Sequence, residues 1–249
     1  MKNNVFDEFA EQYRSIHNAN LNKTGFDSYY MSELKVRLIK GSTRRHVKRI
    51  LDVGCGDGGM CVYFKQHFPD AHIVGIDISE KSIQIAQDRG LANCEFFVTD
   101  GHTLPFDDHS FDLVVVAGVL MHIQQEHQEA YIQEMHRVLM PKGRIAIFEH
   151  NPYNPVTRRL VKICPFDSEA VWNYPKVLKQ KLTKAHFGDL QTHYYLFFPR
   201  FGLFSYFSDR EKLLRRFPLG GQYFLSAQKI ASKKHPSSLQ KEVLNVEVV

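Results

Sequence analysis

The sequence lacks the features that mark secreted, membrane-spanning and metal-binding proteins. Its 249 residues include four cysteines, at positions 55, 61, 94 and 164, whose spacing favours a reduced compartment over a disulfide framework. No apolar run approaches the length of a membrane span, and the amino terminus has no signal-peptide pattern. No HExxH motif or Cys/His cluster is present. We therefore expect a cytoplasmic protein with no transmembrane segment and no metal site.

The composition is that of a globular enzyme-sized domain. Hydrophobic residues make up 43% and charged residues 24% of the chain, and no repeat or low-complexity tract occurs. The net charge of +5 weakly favours anionic partners. We interpret the basic run Thr43–Arg49 as a solvated surface, since nucleic-acid binding would need more positive charge than this.

A glycine-rich turn follows the first strong strand pattern. Ile50, Leu51 and Val53 predict a short buried strand, and glycines then occupy positions 54, 56, 58 and 59 before a helix expected at 60–67. A strand, a glycine turn and a helix allow backbone N–H groups to approach a nucleotide-like ligand closely. Asp52 would repel a phosphate, but it suits a ligand with a cationic end.

An acidic residue ends the next predicted strand. Asp77 closes the segment His72–Ile78, about 20 residues beyond the glycine turn, where a carboxylate accepts hydrogen bonds from ribose hydroxyls. The ligand should therefore contain a ribose. Because Gly54-x-Gly56-x-x-Gly59 also satisfies the dinucleotide fingerprint, a nicotinamide cofactor and another nucleotide both remain open at this point.

The third strand end carries a further acidic residue. A strand at 94–98 leads to Asp100 and Gly101 and then to the apolar loop Leu104-Pro105-Phe106. The carboxylate suits an adenine amino group, and we expect the apolar loop to pack on the adenine ring.

The fourth strand end carries Gly118 and His122, and the whole segment alternates between helices and strands. Strands are predicted at 72–77, 94–98, 111–116 and 143–149, and helices at 60–67, 79–89 and 125–139. Such alternation implies a parallel sheet with right-handed crossovers. All four turns then meet at the carboxyl ends of the strands, where ligands of such sheets bind.

Taken together, these motifs resemble the class I S-adenosylmethionine-dependent methyltransferases, specifically the small-molecule group called the type 11 methyltransferase domain. The resemblance covers about residues 50–149. It is carried by Asp52-Val-Gly-Cys-Gly-Asp-Gly-Gly59, Asp77, Asp100 with Leu104-Pro105-Phe106, Phe111-Asp112 and Arg137-Val-Leu-Met-Pro-Lys-Gly143.

The resemblance implies S-adenosylmethionine as the cofactor and an α/β, Rossmann-like fold. This fold has a seven-stranded, mostly parallel sheet in the order 3-2-1-4-5-7-6, an antiparallel last strand, helices on both faces and an N-terminal helical cap. A helix near Tyr174–His186, a strand at Thr192–Phe198 and a last strand at Gln222–Gln228 would complete it. The expected cofactor contacts are Tyr13, Asp52, Gly54, Cys55, Gly56, Asp77, Ile78, Asp100, Gly101, Ala117 and Gly118.

We expect a single methyltransferase domain over residues 1–231. Residues 1–45 would form the helical cap, 46–150 the cofactor-binding core, and 151–231 the substrate-side elements, including an insertion at 199–221. The tail 232–249 is polar and is expected to be flexible. For the amino-terminal segment, a cap over the cofactor and an amphipathic helix on the sheet edge are both consistent with the pattern.

Two histidines are the candidate catalytic residues. His122 lies on the loop expected nearest the transferable methyl group, and His150 ends the fifth strand. Histidine exchanges protons near neutral pH, which suits a general base. A loop histidine bonded only to backbone is the alternative for each, and many members of this fold need no dedicated base.

The acceptor is predicted to be a small molecule or a lipid- or carrier-linked compound methylated on O or N. Nucleic-acid amino methyltransferases of this fold carry an Asn/Asp-Pro-Pro-aromatic turn where this chain has Ala117-Gly-Val-Leu120. The aromatic and basic segment 201–217 predicts a peripheral membrane contact, a substrate lid or plain packing. A NAD-dependent oxidoreductase and a catalytically silent cofactor-binding module are the alternative functions.

Overall fold

The computed structural model describes residues 26–164, 167, 169–198 and 211–230, and its centre is a seven-stranded sheet. The strands are β1 Arg49–Val53, β2 His72–Asp77, β3 Cys94–Val98, β4 Phe111–Ala117, β5 Leu139–His150, β6 Phe187–Tyr195 and β7 Gln222–Lys229. The helices are α1 Ser28–Ser42, α2 Gly59–His67, α3 Glu80–Asp88, α4 Gln125–Val138, α5 Pro155–Ile163, α6 Pro175–Lys184 and α7 Glu211–Leu214, with a 3-10 turn at Leu120–His122.

The strand order is β3-β2-β1-β4-β5-β7-β6. Strands β1 to β5 are parallel to one another, and β7 runs antiparallel to both β5 and β6. The predicted order and the antiparallel last strand are therefore confirmed.

Both faces of the sheet are covered by helices, because the central strands carry apolar residues on both sides. On one face, Tyr131, Ile132 and Met135 of α4 pack with Leu178 and Leu182 of α6. On the other, α1, α2 and α3 contribute their buried residues, among them Val36, Ile39, Phe64, Ile83 and Ala86. The carboxyl ends of the strands are left as the edge at which turns can form a site.

Local sequence explains how the helices at this edge begin. Ser79 caps α3 by accepting a hydrogen bond from the Ser82 N–H at 3.1 Å, and Asn154 caps α5, which begins at Pro155. At α2 the residue before the helix is Gly58 in the left-handed conformation, and Asp57 Oδ1 accepts from the Gly59 N–H.

Two strands differ from their predicted bounds. The sixth strand was predicted at 192–198 but runs Phe187–Tyr195, passing through a bulge between Gly188 and Gln191 where Asp189 has a φ of 45°. The fifth begins at Leu139 rather than at 143, although Lys142 adopts a φ of 65°. Turn-forming residues inside a strand were interpreted as its end, although a bulge accommodates them.

Several expectations lie outside the described residues. These are Tyr13 and most of the cap at 1–45, residues 199–210 of the insertion, and the tail. Within the described ranges, no helix combines the length and the apolar character that crossing a bilayer requires.

Candidate functional site

A cavity of about 710 Å³ opens at the carboxyl ends of the central strands. This volume lies in the range typical of small-molecule and cofactor sites. Ten of the eleven residues expected to contact the cofactor line it, as do both candidate catalytic histidines: Asp52, Gly54, Cys55, Gly56, Asp77, Ile78, Asp100, Gly101, Ala117, Gly118, His122 and His150. The eleventh, Tyr13, lies outside the described residues. The four turns predicted to converge do meet in one place.

The glycine turn is held against the end of β2. The N–H groups of Gly54 and Cys55 both donate to the Ile76 carbonyl, at 2.8 and 3.0 Å. The Gly56 N–H donates to Asp77 Oδ2 at 2.8 Å. Asp77 therefore positions the turn as well as lining the cavity.

The glycines of this edge are required for two different reasons. A Cβ on Gly54, whose φ is +71°, would lie 2.2 Å from Val119 Cγ2, so this glycine permits close packing of the β1 and β4 exit turns. A Cβ on Gly56 or Gly118 would meet no atom within 4 Å. At those two positions the bare backbone faces open space in the cavity wall, as expected where a ligand approaches the main chain.

The Asp100 side of the cavity differs from expectation. Leu104 is 2% exposed in the hydrophobic core, and the Phe106 ring packs edge-on against Phe111 at 5.0 Å. Neither residue lines the cavity, so the prediction that this loop packs on an adenine ring is wrong. The apolar wall on this side comes from Ile78 and from Tyr131 of α4. Burial, together with the nearby Asp100 and Asp77, raises the pKa of Tyr131 to about 12.

Asp52 and Lys35 both line the cavity beside the glycine turn, and the charge of each affects the pKa of the other. Burial raises the pKa of Asp52 to about 7, although the Lys35 ammonium opposes the shift. Burial lowers the pKa of Lys35 to about 8, against the opposing effect of Asp52 and Glu149. Lys35 comes from α1, so the helix that precedes β1 supplies part of this wall.

The two candidate catalytic histidines share one carboxylate. His122 Nε2 lies 3.4 Å from Asp167 Oδ1, and His150 Nε2 lies 3.8 Å from Asp167 Oδ2. Burial alone would raise the pKa of Asp167, but hydrogen bonds from the two imidazoles outweigh it and hold that pKa well below its usual range. Asp167 is therefore an ionised group that orients both histidines.

His150 is held at its second nitrogen as well. Gln222 Nε2 lies 3.4 Å from His150 Nδ1, and the Tyr195 hydroxyl donates to Gln222 Oε1 at 2.5 Å, which fixes the amide orientation. The amide nitrogen is then a donor to Nδ1, so His150 presents its Nε2–H to Asp167. Both ring nitrogens of His150 are engaged within the protein.

Glu149 is a buried carboxyl group in the same cavity. Its Oε2 accepts from Asn173 Nδ2 at 3.2 Å, whereas its Oε1 has no hydrogen-bond partner among the described residues. Its side chain is 3% exposed, and burial raises its pKa to about 8.

These features fit S-adenosylmethionine, which carries an adenosine, a sulfonium and an amino acid group. The open backbone at Gly56 and Gly118 gives space for the ligand, and buried carboxyl groups suit its positive charges. Sequence reasoning did not assign Lys35, Tyr131, Asp167 or Gln222 to this site. The first three lie more than ten residues from a glycine or strand-end motif, and Gln222 lies in a later strand. Only folding brings them together. Within the described ranges, no group of three or more His, Cys, Asp or Glu side chains is placed to hold a metal ion.

Comparison with known proteins agrees with this geometry. A family model described as "Methyltransferase domain" matches residues 50–143. Demethylmenaquinone methyltransferase of Thermotoga maritima is 32% identical over 150 residues, which cover 60% of this chain and 62% of that protein. Phosphoethanolamine N-methyltransferase 1 of Arabidopsis thaliana is 32% identical over 139 residues, covering 53% of this chain and 28% of that protein.

A solved structure extends the likeness to most of the chain. Phosphoethanolamine N-methyltransferase 2 of Haemonchus contortus, in complex with S-adenosyl-L-methionine, aligns with a TM-score of 0.65 and 18% identity, covering 92% of this chain and 61% of that one. The chain spans less than two thirds of the length of each of these two curated relatives. Likeness at this identity shows the fold, and the family match shows the kind of domain.

Proposed function

We propose that this chain, which contains a class I S-adenosylmethionine-dependent methyltransferase domain, is an active enzyme. Its acceptor is a small molecule or a lipid- or carrier-linked compound, which it methylates on O or N. The observation that carries the proposal is the meeting of His122 and His150 on Asp167, inside the cavity that the glycine turn also lines. A proton-accepting group thereby lies next to a cofactor site. That combination is what alkylation of an O–H or N–H group needs.

We assign the cofactor to the side of the cavity formed by β1 and β2. Asp77 would accept hydrogen bonds from the ribose, and Asp100 with Ile78 and Tyr131 would hold the adenine. Asp52 and Lys35 would hold the charged amino acid end of the cofactor, with the Asp52 carboxyl group opposite the ammonium group of the cofactor. When bound, the cofactor supplies a methyl group on a sulfonium centre, which reacts by in-line displacement.

His122 is the better candidate for the general base, because its Nε2 lies closer to Asp167 than that of His150 does, at 3.4 Å against 3.8 Å. Both nitrogens of His150 are engaged, by Asp167 and by Gln222. His122 has its Nε2 oriented by Asp167, an arrangement in which a carboxylate stabilises the imidazolium formed when the ring accepts a proton. We therefore assign His122 as the base and both Asp167 and His150 as positioning residues.

The charges that line the cavity indicate which acceptor groups fit. Six acidic residues line it, whereas Lys35 is its single lysine or arginine among the described residues; the acids are Asp52, Asp57, Asp77, Asp100, Glu149 and Asp167. A carboxylate or phosphate next to the reacting atom would be repelled. A neutral or cationic reacting group, such as an amine or a phenol, is favoured. This differs from the mild leaning toward anionic partners that the net charge of +5 indicates.

The test is methyl transfer from label-bearing cofactor to a panel of acceptors. The full chain is incubated with methyl-labelled S-adenosylmethionine and with amines, phenols, carboxylic acids or an extracted lipid fraction, and the products are identified by mass spectrometry. We expect label on an amine or a phenol and none on the acids. Cofactor binding without label on any acceptor would instead support the silent-module alternative.

A further inference from the structure

A groove between α6 and the edge strand β6 is basic throughout its described length. Its charged side chains are Lys176, Lys179, Lys184 and Arg216, and no acidic side chain of the described chain lines it. Tyr153 and Tyr194 contribute the aromatic part of its wall. The groove lies outside the cofactor cavity and shares no lining residue with it.

Helix α6 lines this groove, helix α5 begins two residues after its lining residue Tyr153, and both helices have the same charge bias. Helix α5 carries Arg158, Arg159 and Lys162, helix α6 carries four lysines, and neither helix contains Asp or Glu. Lys181 and Lys184 are bound to Gln128 and Glu129 of α4. Within the described part of the chain, Lys176, Lys179 and Arg216 form no ion pair, so their charges are available to a partner.

Large apolar side chains project from the same surface. Tyr153, Val156, Phe217 and Leu219 are each at least half exposed. The Tyr153 ring packs on Tyr174 with centroids 5.5 Å apart.

Backbone and side-chain bonds join the segments that carry these residues. Asn154 Nδ2 donates to the Leu219 carbonyl at 2.7 Å, and Arg216 lines the same groove as Tyr153 and Lys176. We call Tyr153, Val156, Tyr174, Lys176, Lys179, Arg216, Phe217 and Leu219 the basic–apolar face.

This face begins directly beside the proposed acceptor side of the cavity. His150 and Gln222 line the cavity and are paired in the β5–β7 ladder. The next residue after His150, Asn151, donates its N–H to the Gly221 carbonyl at 3.0 Å, and its side chain binds the carbonyls of Pro218 and Gly220. The two segments that carry Tyr153 and Leu219 therefore leave from the wall of the cavity itself.

We propose that the basic–apolar face docks this protein on the surface of an anionic phospholipid bilayer. Unpaired cations attract anionic headgroups, and exposed aromatic and aliphatic side chains gain from insertion at the interface. A nucleic acid would use the cations but would gain little from Val156, Phe217 and Leu219. For the segment 201–217 the sequence left a membrane contact, a substrate lid and plain packing open. The face keeps Arg216 and Phe217 of that segment and adds residues from 153–156 and 174–179.

The experiment is vesicle co-sedimentation of the full chain. Vesicles of phosphatidylcholine alone are compared with vesicles in which about a third of the lipid is phosphatidylglycerol, and a transfer RNA is added as a competitor in a separate series. The variants are the charge reversal Lys176→Glu/Lys179→Glu and the apolar replacement Phe217→Ser/Leu219→Ser. The matched control is Arg44→Glu/Lys48→Glu, which reverses two exposed charges that do not line the groove.

We expect the chain to bind the anionic vesicles and to sediment poorly with neutral ones. Lys176→Glu/Lys179→Glu should weaken this binding by about tenfold or more, Phe217→Ser/Leu219→Ser should weaken it even at high salt, and the control should bind as the unaltered chain does. Calorimetry of S-adenosylhomocysteine binding checks that each variant is folded. Because vesicle binding needs no methyl transfer, it can succeed or fail independently of the proposed activity.

Three results would overturn the proposal. The first is no binding to anionic vesicles at low salt. The second is an equal loss in the control variant, which would show that only the net charge matters. The third is full displacement by the RNA together with unchanged binding of Phe217→Ser/Leu219→Ser, which would assign the face to nucleic acid.

Discussion

At the scale of single residues, the geometry distinguishes the two histidines. His122 Nε2 lies 3.4 Å from Asp167, whereas His150 Nε2 lies 3.8 Å from it and His150 Nδ1 lies 3.4 Å from Gln222. We predict that His122→Asn lowers kcat by about 100-fold or more, the range expected on losing a general base, and that His150→Asn has a smaller effect. Steady-state kinetics with the acceptor found by the labelling experiment would measure both.

His46→Asn, an exposed substitution far from the cavity, is the control for these variants. The dissociation constant of the cofactor should stay the same in all three, because neither imidazole is assigned to cofactor binding. Equal activity of His122→Asn and the unaltered chain would remove the base from the mechanism. A larger loss in His150→Asn than in His122→Asn would exchange the two assignments.

Glu149 gives a prediction for the pH dependence of stability. Its pKa is raised by burial from 4.5 to about 8, so between these values the folded protein keeps a proton that the unfolded chain releases. The free energy of unfolding should therefore fall as the pH rises through this window, by an amount on the order of 5 kcal/mol, and then level off. Glu149→Gln cannot ionise, so the fall should become shallower.

Urea denaturation at several pH values between 5 and 9 measures this difference. Glu126→Gln, an exposed carboxylate on α4, serves as the control and should keep the slope of the unaltered chain. A slope that is the same in Glu149→Gln and in the control would show that Glu149 is ionised in the folded protein at neutral pH.

At the scale of secondary-structure elements, the packing of the β1 turn on the β4 turn depends on Gly54. Gly54→Ala adds the strain of a left-handed backbone, about 1–2 kcal/mol, and also a methyl group 2.2 Å from Val119 Cγ2. We predict a large loss of thermal stability and of cofactor binding. In the double variant Gly54→Ala/Val119→Ala, the part of the loss that comes from the clash with Val119 should be recovered. The part that comes from backbone strain should remain.

Gly90→Ala separates the two contributions in this experiment. Gly90 also has a positive φ, of +59°, but a Cβ there would meet no atom within 4 Å, so this variant reports the strain alone. If Gly54→Ala costs no more than Gly90→Ala in thermal denaturation, the close approach to Val119 has no energetic importance.

Asp77 joins the end of β2 to the glycine turn and lines the cavity. Asp77→Ala should weaken cofactor binding by about 1–3 kcal/mol, the cost of losing a buried hydrogen-bonding partner. Calorimetric titration measures the change, and Asp88→Ala on the exposed side of α3 is its control. If Asp77→Ala binds the cofactor with unchanged affinity, this carboxylate does not recognise the ribose.

Motifs at the strand ends were predictable from the sequence because glycine and aspartate there have few local alternatives. Gly56, Asp77 and Gly118 each reach the cavity as their position in a parallel sheet requires. The Leu104–Phe106 loop was wrongly predicted to pack on adenine, because an apolar loop can equally well pack in the hydrophobic core. The start of β6 was missed because Gly188 and Asp189 have the composition of a turn and form a bulge instead.

At the scale of the whole molecule, the parts of the site that depend on distant segments were not predictable. Asp167 follows α5 and reaches residues of the β4 and β5 exits, and Lys35 reaches the cavity from a helix before β1. No local sequence pattern predicts contacts between segments so far apart in the chain. The charge distribution was not predictable either. The net charge of +5 gives no indication that the cavity is acidic and that the outer face beside it is basic.

The central claim is that the four strand-end turns form one S-adenosylmethionine site. Calorimetric titration of the full chain with S-adenosylhomocysteine, and separately with NAD, tests it most directly. We expect one S-adenosylhomocysteine to bind per chain, with an affinity that is weakened in Asp77→Ala, and no measurable heat with NAD. Stoichiometric binding of NAD, or no binding of S-adenosylhomocysteine by folded protein, would contradict it.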